Sequence, residues 1–297
     1  HNLQITTNIQ VISEYFNSAI YSTSNKQADI LELNTINESF CYLSVGHWLQ
    51  GTIFEDRKNT SGLVHIFFET FKNKPSPPAL ILKTGGATYS IMDRCEIKSK
   101  INQIRDLFPK NAKLPNVYLL HGDLTDNEMN ALYNHPKVKA MVSLTKAEGF
   151  GRPLLEFSTT NKPIIAPHYS GQADFLSKEY IIAIPGGLTP IHPSAQNEFL
   201  IEEAKWFTPD YNYVKKALKE VQKHYNKFLP NARQQKKFVQ EHFSLDAVKN
   251  QYTKLIKLID SGLEQIPMAQ QLQLPTLKKV DKKLELPKLK LPKLKTV

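Results

Sequence analysis

Apolar positions along this chain alternate between two periods. Six short, nearly continuous apolar runs predict buried strands at Phe40–Val45, Ala79–Lys83, Asn116–Leu120, Val138–Leu144, Pro163–Ala166 and Tyr180–Ile184. Between them the spacing becomes helical. Leu63, Val64, Phe67, Phe68 and Phe71 mark one helix, and Ile97, Ile101, Ile104 and Phe108 a second, stopped at Pro109. Thr125-Asp126-Asn127-Glu128 is a capping box that opens a third helix through Tyr133. Pro153–Thr160 is the fourth. Strands alternating with helices imply right-handed βαβ units around a parallel sheet.

Outside this stretch the pattern changes. Residues 1–37 are rich in Asn, Ser, Thr and Gln, with a short strand expected at Ile9–Ile12 and a short helix at Ser13–Ile20. After residue 200 the chain reads as helical. Asp210 is placed to cap a helix to about Phe228, a second helix follows Pro230, and Ser244 caps a third with an apolar stripe of Val248, Tyr252, Leu255 and Ile259. Beyond Gly262, Leu286-Pro287-Lys288-Leu289-Lys290 repeats at once as Leu291-Pro292-Lys293-Leu294-Lys295, and a Pro every five residues forbids a regular helix. The expected organisation is an N-terminal segment over 1–37 (a remnant or linker), an α/β domain with C-terminal helices over 38–264, and a disordered or extended basic tail over 265–297.

Ligands of open parallel sheets bind outside the carboxyl ends of the strands. Gly46, Gly85-Gly86, Gly122, Glu148–Gly151 and Ser170-Gly171 all fall at those ends, which argues for one site built from distant loops. The most informative stretch is Glu148-Gly149-Phe150-Gly151-Arg152-Pro153-Leu154-Leu155-Glu156, between the fourth strand and its helix. Small residues there admit a ligand close to the backbone, and the unpaired amides of a helix start suit a phosphate. The two carboxylates that flank this start suit hydroxyls. The implied ligand carries both a phosphate and sugar hydroxyls.

Composition limits the alternatives. Apolar residues make up 41% of the 297 residues, enough for a sizeable core. There is no apolar run of eighteen residues, and no signal peptide or transmembrane segment is expected. Cys41 and Cys95, without metal-like spacing, fit a reducing compartment, and a cytoplasmic location is expected. The formal charge is +10, but residues 271–297 hold eight Lys against one Asp and one Glu, a net of +6. The remaining +4 leaves the body only mildly basic, so nucleic acid is not the expected partner.

With its flanking strand and loops, Glu148-x7-Glu156 resembles the E-x7-E signature of retaining, family 4-like glycosyltransferases of the GT-B fold. The resemblance runs from about Phe40 to Ile259. It takes in Leu43-Ser44-Val45-Gly46, Arg57-Lys58-Asn59, Leu120-His121-Gly122, Asn161-Lys162-Pro163-Ile164-Ile165 and Ser170–Leu176. It implies a Rossmann-like parallel sheet, one half of a GT-B fold, that carries the donor site. The implied activity is transfer of a hexose from a nucleoside diphosphate sugar, with retention.

The resemblance also distributes roles. Glu148 would contact sugar hydroxyls and Glu156 the nucleotide ribose, while amides from Phe150 to Leu154, including those of Gly151 and Arg152, hold the diphosphate. Lys58 would neutralise the leaving diphosphate, assisted by Arg57. Gly46 and His47 would lie beside it, and His121 and Gly122 beside the nucleobase, through backbone contacts with the imidazole uncommitted. His47 stands where the family usually has Arg. No metal is required, because Lys58 and the helix dipole supply the positive charge. GT-B enzymes have two such domains, and residues 1–37 are too short for the other. Either another chain completes the cleft, or the chain is a fragment, or activity has been lost; separately, the Leu and Lys of 265–297 suit docking on a protein partner. The rival reading is a glycosyltransferase-like domain serving as a non-catalytic binding or structural subunit. A nucleotide-sugar epimerase of the same fold is a weaker third.

Overall fold

The computed structural model describes residues 11–23, 30–49, 52–86, 88–193, 196 and 203–263. The six apolar runs form β1 (Cys41–Val45), β2 (Ala79–Lys83), β3 (Val117–Leu120), β4 (Val138–Val142), β5 (Ile164–Pro167) and β6 (Ile182–Ile184). All pairings among them are parallel, in the order β3-β2-β1-β4-β5-β6. The chain builds outward from β1 in one direction and then returns to lay β4 on its other side. The strand order therefore reverses between β1 and β4, where an open sheet of this kind leaves a crevice at its carboxyl edge.

The helices take both faces. After a short α1 (Leu31–Asn34), α2 (Thr60–Phe71) buries almost every side chain, including Leu63, Val64, Phe67, Phe68 and Phe71. With α3 (Ile91–Arg105) and α6 (Tyr211–Lys223) it covers one face, in a cluster that includes Tyr42, Leu80, Ile97, Ile101, Val214 and Leu218. The other face is covered by α4 (Asp126–Asn134), α5 (Arg152–Phe157) and α7 (Tyr225–His242), through Leu132, Tyr133, Leu155, Phe157 and Val239. The Thr125 capping box forms as expected, with Thr125 and Glu128 bonding each other's backbone amides. Asp210 accepts from the Asn212 and Tyr213 amides, and Ser244 from Ala247.

The structure departs from the sequence reading in four places. Within 11–23 and 30–36, Phe16, Tyr21, Ile30, Leu33 and Ile36 are buried, and the Phe16 amide donates to Phe243 O. No helix forms over Ser13–Ile20; Ile9 and Gln10 of the expected short strand lie outside the described residues. Secondly, α6 ends at Lys223, and α7 runs on through Pro230. Losing one helical bond at Pro230 is outweighed by burial of Ala232, Gln235 and Val239 just beyond it, with Gln235 bonding both Phe175 O and the Ser177 amide. Thirdly, an antiparallel ribbon of β7 (Gly186–Pro190) and β8 (Lys205–Pro209) occupies a stretch for which no strand is expected from the sequence. Finally, in α8 (Leu245–Leu263) Val248 is buried, whereas Tyr252 and Ile259 are exposed. A second compact unit begins at Lys254, and its described part is the end of α8; residues 265–297 lie outside the described residues. Among the described residues, no helix is long and apolar enough to cross a membrane.

Candidate functional site

The crevice between β1 and β4 is built by two loops. The first precedes α2. Asp56, 1% exposed, turns its carboxylate onto the start of that helix, accepting from the Thr60 amide at 2.7 Å, the Ser61 amide at 3.3 Å and the Ser61 hydroxyl. It satisfies orphan donors of the first turn, in the manner of an N-cap. Asn59, in the left-handed region at φ 53°, is held from the other side by Tyr211, at 2.9 Å. Arg57 and Lys58 lie between these two anchors, so their backbone is fixed.

The second loop follows β4. The Lys146 amide donates to Arg57 O at 2.9 Å, joining the loops through their main chains. Lys146 itself is 8% exposed, with its ammonium on Phe54 O and 5.6 Å from the Trp206 ring. Burial lowers its pKa, against the opposing pull of Asp56 and Glu55. Arg57 Nη1 donates to Ala147 O at 2.7 Å. Lys58 Nζ lies 2.5 and 2.7 Å from the two Glu148 oxygens, and Arg57 Nη1 is 3.6 Å from Oε2. The Lys58 stem crosses Gly46 at the end of β1, within 3.7 Å of where a Cβ would stand. Gly46, Arg57, Lys58 and Glu148, distant in sequence, thus meet at the switch point. His47 is exposed beside them.

Past Glu148 the chain turns at Gly151, whose φ of 99° favours glycine, and enters α5. No protein acceptor lies on the amides of Gly149, Phe150, Gly151 and Arg152 among the described residues. Leu154 is different. Its amide donates to Gly151 O at 2.9 Å and its side chain is 3% exposed, so it is withdrawn from the set of expected ligand contacts. Pro153 has no amide hydrogen to offer.

Glu156 is 7% exposed. Oε2 accepts from the Tyr133 hydroxyl at 3.0 Å, and Oε1 is 3.6 Å from Arg152 Nη2. Burial pushes its carboxyl up to about 7, against the lowering influence of Tyr133 and Arg152. The two glutamates of the signature therefore live differently: Glu148 is held by Lys58 at 2.5 Å, whereas Glu156 is buried against the Tyr133 hydroxyl with Arg152 only at 3.6 Å. Arg152 is exposed and lies 3.9 Å from Glu14.

The strand ends on the β2–β3 side carry a separate cluster. The Asp93 carboxylate accepts from the Gly86 amide at 2.9 and 3.0 Å and lies 2.7 Å from His121 Nε2. The His121 imidazole is therefore committed to Asp93, contrary to the sequence expectation. Lys83, also buried, is bonded to Gly122 O at 2.6 Å. The sequence reading missed Asp56, Lys146 and Asp93. Asp56, an acidic residue shortly before a helix, and Asp93, three residues after the cap Ser90, carry a local signal; Lys146 does not.

No family model and no curated protein matches the chain. Solved structures do. The C-terminal domain of a group 1 family glycosyl transferase (LpcC) from Francisella tularensis matches at TM-score 0.52 and 11% identity, over 77% of this chain and 99% of that domain. HepE of Anabaena, in complex with UDP and glucose, matches at TM-score 0.56 and 14% identity, over 84% of this chain and 56% of its own. Sucrose-phosphate synthase from Thermosynechococcus elongatus matches at TM-score 0.56 and 16% identity, over 85% and 53%. The chain thus spans about half the length of the HepE and sucrose-phosphate synthase chains and nearly all of the isolated domain. At these identities the likeness is one of fold: a six-stranded parallel sheet flanked by helices, one Rossmann-like half of a GT-B protein.

Proposed function

We propose that this chain is the donor-binding half of a retaining glycosyltransferase that moves a hexose from a nucleoside diphosphate sugar to an acceptor hydroxyl. The observation that carries the reading is the convergence of Arg57, Lys58, Glu148 and the unengaged amides of Gly149–Arg152 at the β1/β4 switch point. Two cations and a run of amides suit a diphosphate. Glu148 and Glu156 offer carboxylate acceptors for sugar and ribose hydroxyls. In the free protein Lys58 and Glu148 neutralise each other, so neither charge is left unpaired. With donor in place, Lys58 turns to the diphosphate and Glu148 to the sugar.

In the reaction the bond between the anomeric carbon and the diphosphate oxygen breaks, and a bond to the acceptor oxygen forms. The acceptor's hydroxyl proton passes to the leaving diphosphate or solvent. Negative charge grows on the diphosphate, and a preorganised ammonium at that oxygen lowers the barrier. Lys58 fills this role without a metal. The acceptor side of the cleft is assigned to a second domain, consistent with the match to about half of the HepE and sucrose-phosphate synthase chains.

The test is a turnover assay with UDP- and GDP-hexoses, following release of UDP or GDP, with Lys58→Ala and Glu148→Gln as controls. Donor-dependent release that both variants abolish supports the reading. Tight donor binding without release, in the presence of a supplied acceptor domain, favours the non-catalytic subunit, the reading to which exposed His47 also lends weight.

A further inference from the structure

Ser170, three residues past the end of β5, holds a conformation that its residue type disfavours. Its φ is +58°, in the left-handed region. Glycine would adopt this backbone at no steric cost, yet the position holds a serine. The hydroxyl explains why. Ser170 Oγ accepts from the Glu148 amide at 2.9 Å, and the next residue, Gly171, donates its own amide to Glu148 O at 3.1 Å. Both main-chain polar groups of Glu148 are thus taken by one turn.

The same turn is fitted against the loop that follows Glu148. A Cβ on Gly171 would fall 1.9 Å from Gly149 O, so only glycine fits at that approach. Gln172, fully buried, places its Cβ 3.4 Å from where a Gly151 Cβ would lie, and its side-chain amide donates to Pro167 O. Phe150 packs on Phe175 at 5.0 Å between ring centroids. These contacts fix the turn to β5 on one side and to Glu148–Gly151 on the other.

We infer that Ser170 is a positioning residue for Glu148: its hydroxyl sets the backbone from which the Glu148 carboxylate reaches toward the ligand and Lys58. This rests on the transferase reading above. The left-handed backbone is kept because it aims the hydroxyl at the Glu148 amide. In a loop that opens a helix, the direction of one carboxylate follows from the dihedrals of one residue, and misplacement by about 1 Å costs on the order of 100-fold in rate.

Two variants separate positioning from mere structure. Ser170→Gly removes the hydroxyl and relieves the left-handed backbone. Ser170→Ala removes the hydroxyl and keeps the unfavourable backbone. We expect both to lower kcat about 10- to 100-fold, with donor KM changed by less than about 3-fold. Their Tm values should diverge, Ser170→Gly at or above wild type and Ser170→Ala below it. Hydrogen exchange at the Glu148 amide should accelerate in both by at least about 10-fold. Wild-type kcat in Ser170→Gly, or unchanged exchange at Glu148, overturns the inference. A wild-type protein inert toward every UDP- and GDP-hexose, with exchange at Glu148 still accelerated in both variants, overturns the transferase reading and any part for Ser170 in turnover.

Discussion

Glu156 makes the sharpest prediction, because the fold holds it at a cost. Its carboxyl is 7% exposed, and burial raises its pKa from an ordinary 4.5 to about 7. Because the folded pKa is raised, folding disfavours the charged form. The penalty is absent below about pH 4.5, where both states are protonated, grows as pH rises, and is complete above about pH 7. A shift of this size corresponds to about 3 kcal/mol at about 1.4 kcal/mol per unit. Glu156→Gln keeps the shape and an acceptor for the Tyr133 hydroxyl but cannot ionise. The value of about 7 is reached against Arg152, 58% exposed and 3.6 Å away, so the loss of that pairing is already contained in it. The variant should therefore be more stable than wild type at pH 8 by about 1–3 kcal/mol, which raises Tm by roughly 2–10 °C. At pH 4.5 the difference should vanish. Urea denaturation of both proteins from pH 4.5 to 8 measures this. The same variant should bind a nucleoside diphosphate sugar about 10-fold or more weakly, because a hydrogen bond to a charged acceptor is lost. A Glu156→Gln protein that is less stable at pH 8, or that follows the same pH slope as wild type, refutes the reasoning.

Other perturbations probe the neighbouring parts. Lys58→Ala should lower kcat by about 100- to 1000-fold, as followed by nucleoside diphosphate release. Its stability should fall by about 1–3 kcal/mol, because Glu148, 9% exposed, loses the ammonium at 2.5 Å and keeps only Arg57 at 3.6 Å. Asp56→Ala removes the acceptor for three donors at the start of α2 and should destabilise the protein by about 2–3 kcal/mol in urea; a loss below about 0.5 kcal/mol would contradict its capping role. Dialysis against EDTA should leave turnover unchanged, and restoration of lost turnover by Mg²⁺ or Mn²⁺ would count against Lys58 as the source of positive charge.

What the sequence revealed, and what it hid, follows from the range of the interactions involved. The six strands and their flanking helices were legible because each depends on apolar spacing within a dozen residues. The Thr125–Glu128 box and the Asp210 cap were legible because a cap bonds amides two or three residues away. The ribbon of β7 and β8 was not, since Gly186-Gly187 and Pro190 read as turn residues and the partner strand lies beyond a 14-residue gap. At Pro230 the local rule predicted a break, and tertiary packing of Val239 and Gln235 overrode it. The site was half legible. Glu148 and Gly151 could be set at a strand end from local spacing and Lys58 before α2 from the resemblance, whereas the capture of His121 by Asp93, across 28 residues, could not be foreseen. Nor could spacing tell that Glu148 would be charge-paired and Glu156 buried beside Tyr133, because burial is a property of the assembled fold.

The account rests on the crevice between β1 and β4 holding a nucleoside diphosphate sugar, and isothermal titration calorimetry addresses that most directly. Titration of UDP- and GDP-hexoses into the wild-type chain should show one donor binding with a single site, more tightly at pH 8 than at pH 6 as Glu156 ionises, and much more weakly to Lys58→Ala. Absence of heat with every UDP- and GDP-hexose, or binding that neither Lys58→Ala nor Glu156→Gln weakens, would contradict it.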